Sequence, residues 1–193
     1  MTTERIEAGP AVPADIRDAA RQAPEHLFGV VDPAWRGAGT PPVWAVRGQW
    51  RADSAGEIAG WLPNPEYLPS PAVRGWPAPT DAVDDALQRA CTGYGAGEDL
   101  LAALAGAEVS VPLGADDEVL TVRSPDGETL QPVFTTDEHR LRSGAPPGRV
   151  MPVARLIADL EHDLLINPGG VVTVVIHTAE VRRFSGFGQP PTS

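Results

Sequence analysis

Side chains able to do chemistry are few and scattered in this 193-residue chain. The single cysteine, Cys91, permits no internal disulfide and no cysteine-based metal cage. On the helix expected after Thr80 it joins the apolar stripe Val83, Leu87, Ala90 and Cys91. It is therefore expected to be a buried packing residue, not a reactive thiol. The four histidines, His26, His139, His162 and His177, are too dispersed to form a metal site. Glu161-His162-Asp163 is the densest polar cluster and reads as a helix C-terminus, where an imidazolium meets the helix dipole. Asp116-Asp117-Glu118 reads as a solvated loop. There is no G-x-S-x-G elbow, phosphate-binding loop or H-E-x-x-H helix, and Gly186-Phe187-Gly188 lacks the third glycine of a dinucleotide fingerprint. The chemistry-bearing residues thus predict a non-enzymatic protein with no metal and no cofactor.

What the chain does concentrate is tryptophan. Trp35, Trp44, Trp50, Trp61 and Trp76 fall within 42 residues, and the following 117 residues contain none. Tryptophan and arginine are the residue types most enriched at binding hot spots, yet tryptophans on a small sheet also serve as its core. Both readings stand at this stage. Trp35 and Trp76 sit in Gly/Pro loops, so they, with Tyr67, Arg36 and Arg74, form the candidate protein-binding surface.

The elements that must position these residues follow from periodicity and turn chemistry. Residues 13–21 read as a short helix and 26–31 as a strand. Residues 43–52 and 57–62 form an antiparallel hairpin candidate. If Ala52 faces Glu57, then Trp50 lies opposite Ala59 and Trp61 opposite Gly48. Alternation then puts Trp44, Val46, Trp50 and Trp61 on one sheet face. Six prolines make residues 63–80 an extended strap or connector. Thr80 is expected to cap a helix reaching Cys91, with a second helix over 97–107. Strands are expected at 109–113, 119–123, 129–134, 164–166 and 171–177, with 180–184 as a further edge. Thr135-x-x-Glu138 should cap a short helix, and a longer one should run from Pro152 to His162.

Charge is uneven as well. The chain carries −11 overall; residues 1–76 hold seven Arg and nine Asp/Glu (net −2), and residues 77–193 hold eight Arg and seventeen Asp/Glu (net −9). Phosphate binding needs a cationic footprint, so nucleic acid and anionic membrane surfaces are excluded as main partners. No apolar run approaches the roughly 20 residues of a membrane helix, so no membrane insertion is expected. Without a Sec-type signal the expected location is the cytoplasm. The expected fold class is α+β or α/β. Residues 1–12 should be disordered, 13–76 a Trp-rich α+β unit, 77–107 helical, 108–184 a small mixed α/β unit and 185–193 a disordered tail.

Several segments resemble a known family. Leu27–Trp35 (LFGVVDPAW), Trp44–Trp50 (WAVRGQW), Gly56-Glu57-Ile58, Asn64–Pro71 (NPEYLPSP) and Gly75–Thr80 (GWPAPT) resemble actinobacterial type VII secretion system-associated proteins. The second half, with Pro132–Thr136 (PVFTT), the helix from Val153 and Asn167-Pro168-Gly169, is similar to the SseB N-terminal domain. The resemblance implies association with a secretion locus and an α/β module without an established catalytic role; it implies no catalytic residues. Trp35-x-Gly37 and Tyr94-x-x-x-Glu98 also match the short patterns of type VII export substrates. Those patterns belong to proline-poor helical hairpins, so this chain is not expected to be an export substrate.

The functional expectation is a protein-binding accessory of a type VII secretion locus, chaperone- or adaptor-like. One alternative is an immunity-type inhibitor of a secreted toxin that uses the acidic second half to cover a basic site. Another is a small-molecule enzyme or ligand-binding domain with a concave polar pocket. The partner is expected to be a protein.

Overall fold

The computed structural model describes residues 9–185. Gly186-Phe187-Gly188, the rest of the expected tail and most of the expected disordered N-terminus lie outside the described residues. The chain divides between Gly75 and Trp76 into two compact units, and its α+β character is that expected from the sequence.

In the first unit, helix α1 (Ala14–Gln22) precedes a three-stranded antiparallel sheet of β1 (Leu27–Val31), β2 (Val46–Ala52) and β3 (Ile58–Pro63), in that order. The hairpin forms, but in a different register. Trp50 faces Trp61 and Gly48 faces Pro63, two residues on from the expected register: Ala52 faces Ile58 instead of Glu57, and the irregularity at Arg51/Ala52 leaves Ala59 unpaired and adds the second residue. The expected opposition of Trp50 to Ala59 is thereby corrected. Trp50 and Trp61 are both buried, with ring centroids 4.7 Å apart. The Trp61 indole lies across Gly48, where a Cβ would overlap its six-membered ring.

Trp44 is not on the sheet face. Pro42 fixes an extended entry and starts a single 3₁₀ turn, Val43–Ala45, so the strand begins only at Val46. The aromatic cluster therefore splits in two, Trp50 with Trp61 in the sheet and Trp35 with Trp44 in the loops.

The second unit has helices α2 (Ala82–Thr92), α3 (Gly97–Ala105), α4 (Asp137–Ser143), α5 (Val153–Ile157) and α6 (Thr178–Phe184). Its strands are β4 (Glu108–Pro112), β5 (Val122–Arg123), β6 (Thr129–Val133), β7 (Gly148–Pro152), β8 (Asp163–Ile166) and β9 (Val174–Ile176). β4 pairs antiparallel with β7. A mixed sheet runs β5-β6-β8-β9, with β6 and β8 parallel. Ser110 and Phe134 exchange two backbone hydrogen bonds that join β4 to the end of β6. Val83, Leu87, Leu100, Leu104, Val109, Val111, Val133, Ile157, Leu164 and Ile166 are among the residues of one core.

Five local expectations are corrected here. Asp81, not Thr80, caps α2, its carboxylate accepting from the Val83 and Asp84 amides at 2.7 and 3.0 Å. Cys91 is exposed; the buried face of α2 is Val83, Asp84, Leu87 and Gln88. Thr136, not Thr135, caps α4. The long helix from Pro152 is a five-residue helix that stops at Ile157, where the Ile157 and Leu160 carbonyls accept from the Arg182 guanidinium instead of continuing the helix ladder. Asp163 consequently opens β8 and does not close a helix. Finally, residues 178–184 are helix α6, not an edge strand.

Candidate protein-binding surface

The surface is built on Asp32, where β1 ends. Its backbone amide donates to the Ala45 carbonyl at 2.8 Å, fixing the loop 33–42 at both ends. One carboxylate oxygen accepts from the Ala34 amide at 2.8 Å. The other accepts from the Tyr67 hydroxyl at 2.6 Å and the Ser70 amide at 3.1 Å. Asp32 is 1% exposed. Burial opposes its charge, but the hydrogen bonds from Tyr67, Ala34 and Ser70 outweigh that penalty and hold its carboxyl below the usual carboxylate value. Burial and the adjoining Asp32 carboxylate push the Tyr67 phenol far above its ordinary value.

Asn64 supplies a second clasp. Its amide nitrogen donates to the carbonyls of Val43 and Val46, both at 2.7 Å, and its amide oxygen accepts from the Glu66 amide at 3.0 Å. The Leu68 amide donates to the Trp44 carbonyl at 2.9 Å. The proline-rich strap thus runs beside the 3₁₀ turn as irregular backbone tied at Asn64, Glu66, Leu68 and Ser70.

On this frame the Trp35 and Trp44 rings meet edge to face, with perpendicular planes and centroids 5.6 Å apart. Both are half-buried. Their neighbours Val43, beside Trp44 in the chain, and Leu68, across from it on the strap, are 53% and 46% exposed. The Trp35-x-Gly37 spacing has a local cause: the indole lies across Gly37, and a Cβ there would overlap Cζ2 and Cη2 of the ring.

The structure therefore brings together only part of the expected surface. Trp35 is in it, and Arg36, next in the chain, is exposed. Tyr67 is turned inward by Asp32 and positions the strap. Arg74 is exposed, with its Nε donating to the Pro69 carbonyl at 3.0 Å. Trp76 is half-buried and opens the second unit. Sequence reasoning missed Val43, Trp44 and Leu68. The Pro41-Pro42 pair ahead of Val43 was the available signal that a strand could not start there.

Among the described residues, neither His139 nor His177 joins a nucleophile–base–carboxylate relay. His139 Nε2 lies 3.1 Å from Thr80 Oγ1 and 3.4 Å from Asp84 Oδ2. Hydroxyl and carboxylate share one ring nitrogen, whereas a nucleophile–base–carboxylate relay places them on opposite nitrogens. His177 Nδ1 is 2.6 Å from Asp163 Oδ2, and the other Asp163 oxygen accepts from the Thr178 amide. The hydrogen bond and charge of Asp163 raise the His177 pKa above its ordinary value. Burial of Asp163 is outweighed by its bonds from Thr178 and His177, and its carboxyl is lowered. Burial pushes the Cys91 thiol up, away from thiolate. No group of three or more His, Cys, Asp or Glu able to hold a metal occurs among the described residues, and no helix among them is long and apolar enough to cross a membrane.

The two segments of the second half singled out in the sequence meet at the ends of the parallel pair. Asn167 donates its amide to the Val133 carbonyl at 2.9 Å. Its side chain accepts from the Thr135 amide at 2.9 Å and donates to the Thr135 hydroxyl at 3.1 Å. Both segments fall inside residues 83–183, which match the family model of the SseB protein N-terminal domain. No curated protein and no solved structure matches the chain. With more than half of its length inside that match, and with the helices, mixed sheet and core just described filling it, the chain belongs to the SseB protein N-terminal domain family.

Proposed function

We propose that the protein is a non-enzymatic, protein-binding accessory of a type VII secretion locus, acting in the cytoplasm as an adaptor or chaperone for a secreted substrate or a machinery component. The observation that carries the binding role is the Trp35–Trp44 pair, half-exposed between Val43 and Leu68 on a frame locked by Asp32 and Asn64. Aromatic anchors held in one conformation lose little entropy on docking, which is the property of hot-spot residues. Arg36 and Arg74 supply exposed cationic groups on the same segments. The resemblance of residues 27–80 to type VII secretion-associated proteins supports the locus. The shared-nitrogen geometry at His139 and the raised Cys91 thiol support a role without catalysis.

The test is binding of the tagged full chain to each purified protein encoded in the same locus. Wild type is expected to retain one of them, and Leu68→Ser and Trp35→Ser to lose it by about tenfold or more each, the scale of a hot-spot loss. Gly37→Ala, which displaces the Trp35 ring without altering surface chemistry, should weaken the same complex. Binding to none of these proteins, or binding indifferent to all three variants, overturns the reading.

A further inference from the structure

An open groove of about 350 Å³ lies on the first unit, lined by Val12, Arg17, Trp50 and residues 57–61. It follows β3, an edge strand of its sheet. The main-chain groups that this edge offers follow from the hydrogen bonds on either side of it. In an antiparallel pair, successive residues turn their amide and carbonyl alternately toward the partner strand and away from it. The Asn64 amide donates to the Arg47 carbonyl at 3.2 Å, and the Ala52 amide donates to the His26 carbonyl at 3.0 Å. Counted along the register from both bonds, Leu62 and Gly60 face inward to Gln49 and Arg51. Trp61, between them, turns its amide and carbonyl outward.

Trp61 is 7% exposed, and its outward amide and carbonyl take no hydrogen bond among the described residues. Trp50, directly across the strand pair, is 4% exposed, and its Nε1 is buried and donates to no acceptor among them. Buried polar groups are normally satisfied, so two donors and one acceptor beside this groove lack the partners that burial calls for. Gly9 rests on the same two rings, where a Cβ would overlap Trp61 Cβ and Trp50 Cη2, so this face already seats bare main chain. Arg17 is exposed on the lining and forms no ion pair among the described residues. Glu57, the one carboxylate on the lining, stands four residues before Trp61.

We propose that an extended segment of a partner protein adds to the outer edge of β3, its main chain pairing with the Trp61 amide and carbonyl and a carboxylate on it answering Arg17 and the Trp50 indole. A strand supplies donors and acceptors in alternation along its main chain, the basis of peptide recognition by strand addition. Residues 57–61 extend over about 13 Å at roughly 3.3 Å per residue, room for about four or five residues of added strand. Guanidinium and indole are both donors, which selects an acceptor side chain; Glu57 on the same lining makes one carboxylate more suitable than an acidic run. This edge is separate from the Trp35–Trp44 surface, so either reading can fail while the other stands.

Titration of the ¹⁵N-labelled full chain with the capped peptide acetyl-Thr-Val-Asp-Val-Thr-amide tests it. The amides of Ala59–Leu62 are expected to shift, and the Trp50 indole N–H to move downfield as it gains an acceptor. Two further peptides, one N-methylated at Asp and one at both Val, remove alternate main-chain donors. Because a strand turns alternate amides toward its partner, one of the two should bind about fivefold more weakly, the scale of a hydrogen bond, and the other like the parent. Replacing Asp by Asn in the peptide should weaken binding about threefold, and Arg17→Gln, an exposed substitution, should erase that difference. Absence of shifts, an unmoved Trp50 indole, or both N-methylated peptides responding alike overturns the proposal. Binding seen only in a chain lacking residues 1–8 makes this chain's own N-terminus the occupant, and self-association through the same amides makes it a second copy; either result overturns the partner segment.

Discussion

Asp32→Ala removes the acceptor of three hydrogen bonds, at 2.6, 2.8 and 3.1 Å, from a residue that is almost fully buried. The three donors fare differently. The Tyr67 hydroxyl is half-buried and can turn to water, and the Ala34 amide is also only half-buried. The Ser70 amide belongs to a fully buried residue and is left without an acceptor. A stranded buried donor costs about 1–3 kcal/mol, and two charge-assisted bonds exchanged for water cost about 1 kcal/mol each. Relief of the carboxylate's own desolvation returns one or two. The net loss is about 3 kcal/mol, or a fall of roughly 1–2 M in urea midpoint at slopes of about 2 kcal/mol/M. Asp32→Asn keeps the shape and the Ala34 acceptor but turns an NH₂ toward two donors, so it should lose about 2 kcal/mol. Urea unfolding of the full chain followed by tryptophan fluorescence reads the first unit, which holds four of the five tryptophans. The sign with pH is fixed by the lowered Asp32 pKa. Its stabilisation is complete above the ordinary carboxylate value of 3.8 and is lost as pH falls through the lower folded value. The gap between wild type and variant should therefore be full at neutral pH and close on acidification below that value. A loss under about 1 kcal/mol at neutral pH, or a gap that widens in acid, would refute the lock.

Asn167→Ala deletes both bonds to Thr135 and places alanine at φ +47°, so it should cost about 2–4 kcal/mol by thermal or urea unfolding. Asn167→Gly recovers only the smaller backbone share. The His177 imidazole should titrate by NMR above its ordinary 6.5, and Asp163→Asn should return it toward that value. The pair's contribution is full between 3.8 and 6.5. It fades as pH rises through the raised His177 value and as pH falls through the lowered Asp163 value. Cys91, exposed but with its thiol pushed up, should be modified stoichiometrically by a thiol reagent in the folded protein, with a rate that climbs steeply with pH above neutrality; protection from the reagent would contradict its exposure.

What the sequence disclosed depended on the range of the forces involved. The hairpin, α2, the turns and the position of Asn167-Pro168-Gly169 follow from local alternation and turn chemistry and were legible. The Trp50–Trp61 register was not, because pairing of Ala52 with Ile58 and the unpaired Ala59 beyond it are two one-residue offsets that carry no composition signal and together move Trp50 from Ala59 to Trp61. Cys91 and the apolar residues near it fit a stripe equally well in two rotations. The one realised buries Asp84 and Gln88, whose partners lie in the preceding segment and on α4. The helix expected after Pro152 stops at Ile157, whose carbonyl accepts from Arg182, 25 residues distant in sequence. Of the candidate surface, Trp35 and the strap could be named. The partnership of Trp35 with Trp44 follows from the 3₁₀ turn at Val43–Ala45, and the role of Asp32 arises from bonds spanning 35 and 38 residues that no local pattern encodes.

The clasps at Asp32 and Asn64 also have a kinetic meaning. On the proposed binding role, a surface whose backbone is already tied at Ala34, Val43, Val46, Glu66 and Ser70 has no folding step left to complete when a partner arrives. Encounter is then limited by diffusion and orientation, at about 10⁵–10⁷ M⁻¹s⁻¹, and changes to its side chains act on how long the complex lasts, not on how fast it forms. Loosening either clasp introduces an ordering step before docking, so a variant remote from the contact would slow association while leaving the contacting side chains untouched.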